Sequence, residues 1–307
     1  PTIHPQFFEI LDAARERPIR HLMVNTNGLR IARDQEFAEK LAEYMPGFEV
    51  YLQFDSFEEH TLHELRGADL RDTRFAALER LNELGISTTL VVTLVKGLND
   101  HEIGKIIDFA LKQPAVRGVT FQPMQNAGRV ENIDVEESRL TLTGVRRRIL
   151  EQSDLFQPAD ILPVPCHPDC IAMAYALKTS DGAIPLTGMV DPKVFLEGGS
   201  NTISFERDPE LKAKLFAALS TGHSPSSGAD SLAELLCCLP KVELPDQLGY
   251  ENLFRVIIMR FQDAQDFDIR SIKKSCVHVV HPEDMRIIPL ETYNMFYRNT
   301  LKESLSV

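Results

Sequence analysis

No Lys/Arg-rich stripe offsets the acidity of this 307-residue chain, in which 33 Lys and Arg face 45 Asp and Glu for a formal net charge of -12. That balance argues against a nucleic-acid-binding surface, which is built on clustered basic residues. No apolar run approaches the roughly 18 residues that a membrane-spanning helix needs. No basic-then-apolar leader opens the sequence. Cysteine is scarce and odd in number: five in all, two of them adjacent at Cys237 and Cys238. A secreted disulfide scaffold would use cysteines in pairs, so a reducing, cytoplasmic setting is expected. Internal repeats and low-complexity segments are absent as well. What is left is ordinary globular composition, 43% hydrophobic and 25% charged. It can bury a core, and the length suggests about two domains.

Against that background ILPVPCHPDC, Ile161–Cys170, stands out. Pro163, Pro165 and Pro168 fix φ and remove backbone donors, so the loop is stiff and continues neither a helix nor a central strand. It holds Cys166 and Cys170, with His167 and Asp169 between them. A stiff loop with paired soft ligands suits a metal or an iron–sulfur cluster, whose thiolates must converge with little reorganisation. Two ordinary cysteines in a turn are the simpler alternative on spacing alone.

Before this loop, strand-like and helical stretches alternate. Strands are expected over His21–Gly28, Glu49–Asp55, Ser87–Val95 and Val116–Met124. The third is β-branched nearly throughout. Helices are expected after Pro5 (with Phe8, Ile10, Leu11 and Ala14 on one side), over Asp34–Tyr44, over Phe75–Leu84 stopped by Gly85, from an Asn99 or Asp100 cap to Lys112, and over Leu142–Gln152. Strands alternating with helices imply βαβ units and a parallel sheet or barrel. Side chains two apart share a face of a strand. Asn25 with Asn27, Gln53 with Asp55, Thr89 with Thr93, and Thr120 with Gln122 thus place polar groups near four successive strand ends. Barrel and doubly wound enzymes build their sites at that end. Singly each has a plain structural explanation, Asn27–Gly28 as a turn and Asp55 as a cap; four in a row point to a site.

After the loop, Ile171–Leu177 and Gly182–Gly188 flank a hairpin-type turn at Ser180–Asp181–Gly182. Helices are expected over Asp208–Leu219, Ala229–Leu239 and Tyr250–Gln265, the last with Leu253, Val256, Ile257 and Phe261 on one face. Thr221–Gly228 reads as a Gly/Ser-rich loop. Cys276 precedes a second hairpin across Val277–Leu290.

The runs PTIHPQFFEIL, VNTNG, YLQFD, TTLVVTLVKGLNDHEIG and FQP together resemble the core of radical S-adenosylmethionine (radical SAM) enzymes. PCHPDC, followed by CCLP and KKSCVHVVHPEDMRIIPLETYNMFYR, is similar to the branch of the dihydropterin methyltransferase and the tetraether-lipid synthase. The resemblance covers nearly the whole chain. It implies an α/β fold: a partial (β/α) barrel of the radical SAM type over residues 1–155, its first strands missing, then an α+β auxiliary-cluster domain over 156–307. The family's CxxxCxxC loop, which holds a [4Fe-4S] cluster with one open iron, and its Gly-Gly-Glu are not in the sequence. In this branch Pro-Thr follows that Gly-Gly-Glu, where Pro1–Thr2 now stand. Cys166–Cys170 has no third cysteine two residues on and cannot substitute. The chain is therefore expected to be a fragment, inactive by itself.

The resemblance further implies S-adenosylmethionine (AdoMet) as cofactor and a 5′-deoxyadenosyl radical as the product of its cleavage. The radical would serve methyl transfer or carbon–carbon bond formation on a pterin-like small molecule or a lipid, with an external electron donor. By position, Asn25 and Asn27 would reach the methionine or ribose, Gln53 and Asp55 the ribose hydroxyls, and Thr93 and Gln122 the adenosine side. Cys166, Cys170 and Cys276, with Cys237 or Cys238, would hold an auxiliary [4Fe-4S] cluster, with His167 and His278 as outer donors. The other cluster would belong to the missing N-terminal part. Zinc on the same sulfurs, in a non-catalytic binding module, is the competing metal reading. A cyclase or a peptide-modifying enzyme of another radical SAM branch is the competing enzyme.

Overall fold

TTLVVTL, the β-branched run, forms a strand buried at six of its seven positions. The fold is laid down on either side of it. A computed structural model describes residues 1–19, 21–126, 134–164, 167–179, 182–186 and 252–298. β1 (Leu22–Thr26), β2 (Phe48–Gln53), β3 (Thr88–Leu94) and β4 (Val116–Pro123) are parallel neighbours in that order, as the alternation of strands and helices predicts. α1 (Phe7–Arg15) precedes β1. α2 (Leu29–Arg33) and α3 (Gln35–Ala42) follow it, α4 (Glu59–Arg66) and α5 (Arg71–Glu83) follow β2, and α6 (Ile103–Leu111) joins β3 to β4. After β4 come α7 (Val135–Ser138) and α8 (Leu142–Gln152).

The second half adds β5 (Leu162–Pro163), β6 (Ile171–Thr179), β7 (Gly182–Pro185) and β8 (Leu253–Met259) to the same sheet, in the order β1-β2-β3-β4-β8-β6-β5, with β7 on β6. β8 runs parallel to β4, and β6 runs antiparallel to β8. Hydrogen bonding across the sheet thus passes from the first half into the second. α9 (Ile269–Ile272) and a separate hairpin of β9 (His278–Val280) and β10 (Ile287–Pro289) follow. That hairpin and the β6–β7 hairpin lie where the sequence places them. The Asp208–Leu219 and Ala229–Leu239 helices and the Thr221–Gly228 loop fall outside the described residues.

Three local expectations are corrected. Tyr250–Gln265 is not an amphipathic helix, because Leu253–Met259 is strand β8. Leu253 to Ile258 are all buried, so both faces of the segment pack. A short continuous apolar run carries no periodicity that separates a central strand from a buried helix. Asn99 and Asp100 do not cap α6, whose N-cap is Glu102. They brace the preceding loop instead: Asn99 Oδ1 accepts from Val95 N at 2.9 Å and Asp100 Oδ1 from Gly97 N at 2.8 Å. On α1 it is Phe7 and Leu11 that are buried, while Ile10 is 52% exposed.

One face of the sheet carries Val50, Leu52, Leu90, Val92, Val119, Phe121, Phe254, Val256 and Ile258. The helices cover it with Phe37, Leu41, Leu78, Leu81, Ile106 and Ile149 in one continuous core. Each such side chain contributes roughly 1.5–3 kcal/mol of burial. Two close approaches set this layer. Gly28, at φ 80°, turns the chain from β1 into α2 where a Cβ would lie 2.8 Å from Leu52 Cδ1. Gly104 admits the Gln152 carbonyl, which would stand 2.0 Å from a Cβ, so α6 and α8 pack backbone to backbone. No helix among the described residues is long and apolar enough to cross a membrane.

Candidate functional site

The face turned away from the helices is polar over β1–β4. Register pairs Asn25 with Tyr51 and Tyr51 with Thr89, then Gln53 with Val91 and Val91 with Thr120, and Thr93 with Gln122. Strand pleating therefore puts Asn25, Gln53, Thr93 and Gln122 on one face, toward the C-terminal edge of the parallel strands. Asn25 is exposed, and the other three are half-buried. Asn27 lies just past β1, where its Oδ1 accepts from Leu29 N at 3.3 Å and so also shapes the turn.

Asp55, expected to reach the ribose hydroxyls, lies inside the protein at this edge. It is fully buried, in the left-handed region at φ 61°, a conformation Asp tolerates better than most residues. Its carboxylate already has four donors. Arg66 Nε and Nη2 approach at 2.8 and 2.9 Å, Arg74 Nη2 at 2.8 Å and Thr93 N at 3.0 Å. Arg66 Nη2 also donates to Thr93 Oγ1 at 2.9 Å. Asp55 therefore fixes the end of β3 and holds Arg66, whose side chain is 26% exposed at this edge. The Asp55 hydrogen bond pushes the Arg66 pKa up. Burial pulls that of Arg74 down, against the Asp55 charge. Asn99 Nδ2 ties the two loops together, donating to the carbonyls of Asp55 at 3.0 Å and Thr93 at 2.8 Å.

Lower on the same face a second buried network crosses the sheet. Glu49 accepts from Thr89 Oγ1, and lies 2.9 Å from His21 Nε2 and 2.6 Å from Arg255 Nη2. Arg255 reaches β2 from β8 by lying across Gly118, where any Cβ would come within 2.7 Å of Arg255 Cγ. Burial acts to raise the Glu49 pKa, but Arg255, His21 and Thr89 outweigh it and hold it down at about 2. Sequence reading missed Arg66, Arg74, Glu49 and Arg255. Glu49 shares its strand parity with Gln53 and was within reach of that rule. Arg255 was hidden by the helical reading of its segment.

Over β6 and β8 the same face turns apolar, with Val164, Ile171, Met173, Tyr175, Leu177, Leu253 and Ile257 packed together around Cys170. Cys170 precedes β6 and pairs through its carbonyl with Arg260 N at 2.8 Å, just beyond the C-terminal end of β8. It therefore sits at the edge where β1–β4 also end. It is 1% exposed, yet its sulfur is not in a purely apolar setting: Ser271 Oγ lies at 3.8 Å and Arg260 Nη2 at 4.0 Å. Burial pushes the thiol pKa up, and the Arg260 charge and the Ser271 and Arg260 hydrogen bonds oppose it. Burial wins, so the thiol stays protonated over the ordinary pH range unless a ligand takes its proton's place.

His167 is 2% exposed, and neither ring nitrogen has a hydrogen-bond partner among the described residues. Cys276 is exposed, its sulfur 3.6 Å from the Lys274 carbonyl. His278 is exposed on β9. Cys166, Cys237 and Cys238 lie outside the described residues. Among the described residues one trio of possible metal ligands lies within 4.8 Å, Glu58, His101 and Glu102. Its oxygen and nitrogen donors do not suit an iron–sulfur cluster, and Glu102 is already used by Ser56 Oγ and Phe57 N.

A mostly parallel α/β sheet with a polar C-terminal edge defines a class of enzyme fold, and residues 1–110 match the radical SAM superfamily. The chain is a homologue of radical SAM enzymes. Over its full length it is 29% identical to the 7,8-dihydro-6-hydroxymethylpterin dimethyltransferase of Methanocaldococcus jannaschii, of which it spans 67%. It is also similar to GTP 3′,8-cyclases. That of Klebsiella pneumoniae (strain 342) is 25% identical over 71% of this chain and 70% of the relative. That of Cronobacter sakazakii is 24% identical over 55% of this chain and 51% of the relative.

Proposed function

We propose that this chain is the AdoMet-positioning and auxiliary-cluster part of a radical SAM enzyme that modifies a pterin-like small molecule. The observation that carries the reading is the shared edge. Arg66, Gln53, Thr93 and Gln122 stand at the C-terminal ends of β2–β4, and Cys170 stands at the same edge beyond β8. When bound, a [4Fe-4S] cluster and AdoMet supply one-electron cleavage of the sulfonium and so hydrogen abstraction from an unactivated carbon; the protein binds, orients and shields.

In this reading Asn25, Asn27 and Gln53 offer amides to the methionine and ribose hydroxyls, and Thr93 and Gln122 line the adenosine side. Asp55 acts through Arg66: it aims the guanidinium, leaving an edge to meet an anionic group such as the AdoMet carboxylate. Cys170, with Cys166, Cys276 and one of Cys237 and Cys238, holds the auxiliary cluster. The donors at Cys170 fit a thiolate there, and four thiolates are the usual set. The full-length similarity to the pterin dimethyltransferase favours a pterin over GTP as substrate.

Incubating the intact enzyme, anaerobically reduced, with AdoMet and either a hydroxymethyl-dihydropterin or GTP separates these readings. A methylated pterin supports the proposal. Cyclised GTP would move the enzyme to the cyclase branch, and no AdoMet cleavage with either substrate would remove the reading.

A further inference from the structure

A cavity of about 470 Å³ opens just beyond the C-terminal end of β8, at the edge where β2–β4 also end. Its volume lies in the roughly 300–1,000 Å³ range of small-molecule sites. Its walls are polar side chains throughout, so it selects by hydrogen bonds and charge rather than by stacking. Part of that wall is already paired: Arg260 meets Asp266, and Arg270 meets Asp268 at 3.0 Å. Arg139 donates to Asp266 at 2.9 Å and to Asp263 at 2.7 and 2.8 Å, and Asp263 accepts from Asn126 N at 3.0 Å. The cavity is thereby anchored to the segment that follows β4. The rest of the wall is unspent. Gln262 is 3% exposed, and its Oε1 accepts from Asp268 N at 3.1 Å. That bond fixes which way the amide points, and its Nε2 has no protein acceptor among the described residues. Ser271 is also 3% exposed, and its hydroxyl meets only the Cys170 sulfur, at 3.8 Å. Lys274 and Asp169 line the cavity from exposed positions, and their side chains make no hydrogen bond or ion pair among the described residues. Leaving a buried donor unpaired is costly, so Gln262 and Ser271 mark this cavity as built for a hydrogen-bonding ligand.

We propose that this cavity takes the hydrogen-bonding edge of a 2-amino-4-oxopyrimidine ring, the ring that pterins and guanine share. Asp169 accepts from N3–H and the 2-amino group, while Lys274, Gln262 and Ser271 donate on the 4-oxo side. The inference rests on the reading above only for the class of substrate, and adds the residues that recognise it. The unspent lining groups are three donors and one carboxylate. A phosphate suits Lys274 but meets the like charge of Asp169. A neutral ring with two adjacent N–H donors and a carbonyl beside them satisfies both. Two parallel N–H donors match a carboxylate as the fork of a guanidinium does. Asp169 is therefore the specificity group. It accepts a 2-amino ring and repels a 2-oxo ring, whose oxygen faces the carboxylate. Lys274 reads only the 4-oxo group, which both rings carry.

The test is a calorimetric titration of the 307-residue chain with 6-hydroxymethylpterin and with 6-hydroxymethyllumazine, which carries oxygen in place of the 2-amino group. Guanosine against inosine, which lacks the amino group, makes the same comparison on the purine. In wild type the amino-bearing ring should bind more tightly by roughly 10- to 100-fold, as a hydrogen bond to a charged group implies. Asp169→Asn should bring the paired constants together, because an amide serves an amino or an oxo group alike. Lys274→Ala should weaken both rings by a similar factor and leave their ratio unchanged. Both residues are exposed, so the variants should keep the fold, as circular dichroism checks. A preference for guanosine over inosine, lost in Asp169→Asn, with neither pteridine bound, upholds this inference and moves the substrate from a pterin to a guanine compound. Pterin binding with no preference over lumazine, or with a preference that survives in Asp169→Asn, overturns the inference while a pterin substrate stands. Binding of none of the four compounds overturns it outright.

Discussion

The uncovered face of the sheet presents two unlike surfaces at one edge. Over β1–β4 it is polar and internally bonded, and Asp55 is a hub with four donors. Over β6 and β8 it is apolar apart from Arg255 and ends at one thiol, Cys170, with the Ser271 hydroxyl at 3.8 Å and the Arg260 guanidinium at 4.0 Å. On the first, each buried carboxylate is held by charged partners of the protein's own, Asp55 by Arg66 and Arg74 and Glu49 by Arg255. The second presents a soft atom whose donors gain their full effect only when the sulfur carries charge. The contrast sets preorganised amides and a held guanidinium on one side against a single buried thiol on the other.

The sharpest way to break the comparison is to remove Asp55. Arg66 and Arg74 would lose a carboxylate that is wholly buried, and Arg74, 1% exposed, has no other hydrogen-bond partner among the described residues. Removing one partner of a buried ion pair costs about 3–5 kcal/mol. Asp55→Ala should therefore lower unfolding stability by that amount in denaturant titration. Loss of ligand affinity alone, at unchanged stability, would make Asp55 a direct ligand group and not a hub.

A second effect of similar origin is read by pH. Glu49 sits at about 2 in the folded protein against an ordinary 4.5. The unfolded chain therefore binds more protons across that interval. The stabilisation is fully present above pH 4.5 and is lost as pH falls toward 2. Its size is on the order of 3 kcal/mol. Denaturant midpoints measured from pH 7 to pH 2 should fall in this window, and Glu49→Gln should remove that part of the acid slope.

The polar edge itself is sharpened by Arg66→Ala. With Asp55 and Arg74 left paired, the fold should hold, and AdoMet binding to the intact reconstituted enzyme should weaken by about 1.5–3 kcal/mol, the range for a hydrogen bond to a charged group. Isothermal titration calorimetry reads the change. The smallest effect expected is Thr89→Val, which deletes one donor to Glu49 and should cost about 1 kcal/mol of stability without altering ligand affinity.

Much of this architecture was legible before any coordinates. Strand ends at Asn25–Asn27, Gln53, Thr93 and Gln122 followed from alternation, and β1–β4 lie within a few residues of their expected bounds. Gly85 ends α5 in a left-handed turn, at φ 64°, where the sequence puts it. What was not legible depended on partners distant in sequence. Asp55 is indistinguishable from a ligand carboxylate until Arg66, Arg74 and Thr93 are seen around it. β8 became a strand because β4 and β6 bury it on both sides, which its own spacing does not encode. Arg255 reaches Glu49 only because Gly118 leaves room, a relation across four strands. Cys170 was found from its loop, but Arg260 and Ser271, its donors, are about one hundred residues away in a segment of unremarkable composition.

The central claim, that this edge joins an AdoMet side to a cluster side, is tested most directly by metal analysis. The 307-residue chain and its Cys170→Ala variant would be reconstituted anaerobically and assayed for iron, acid-labile sulfide and zinc. Iron and sulfide together in the wild type, and their loss in Cys170→Ala with the β1–β4 core still folded by circular dichroism, is the predicted result. Colourless protein carrying zinc without sulfide, or a Cys170→Ala variant that keeps its iron and sulfide, would contradict it.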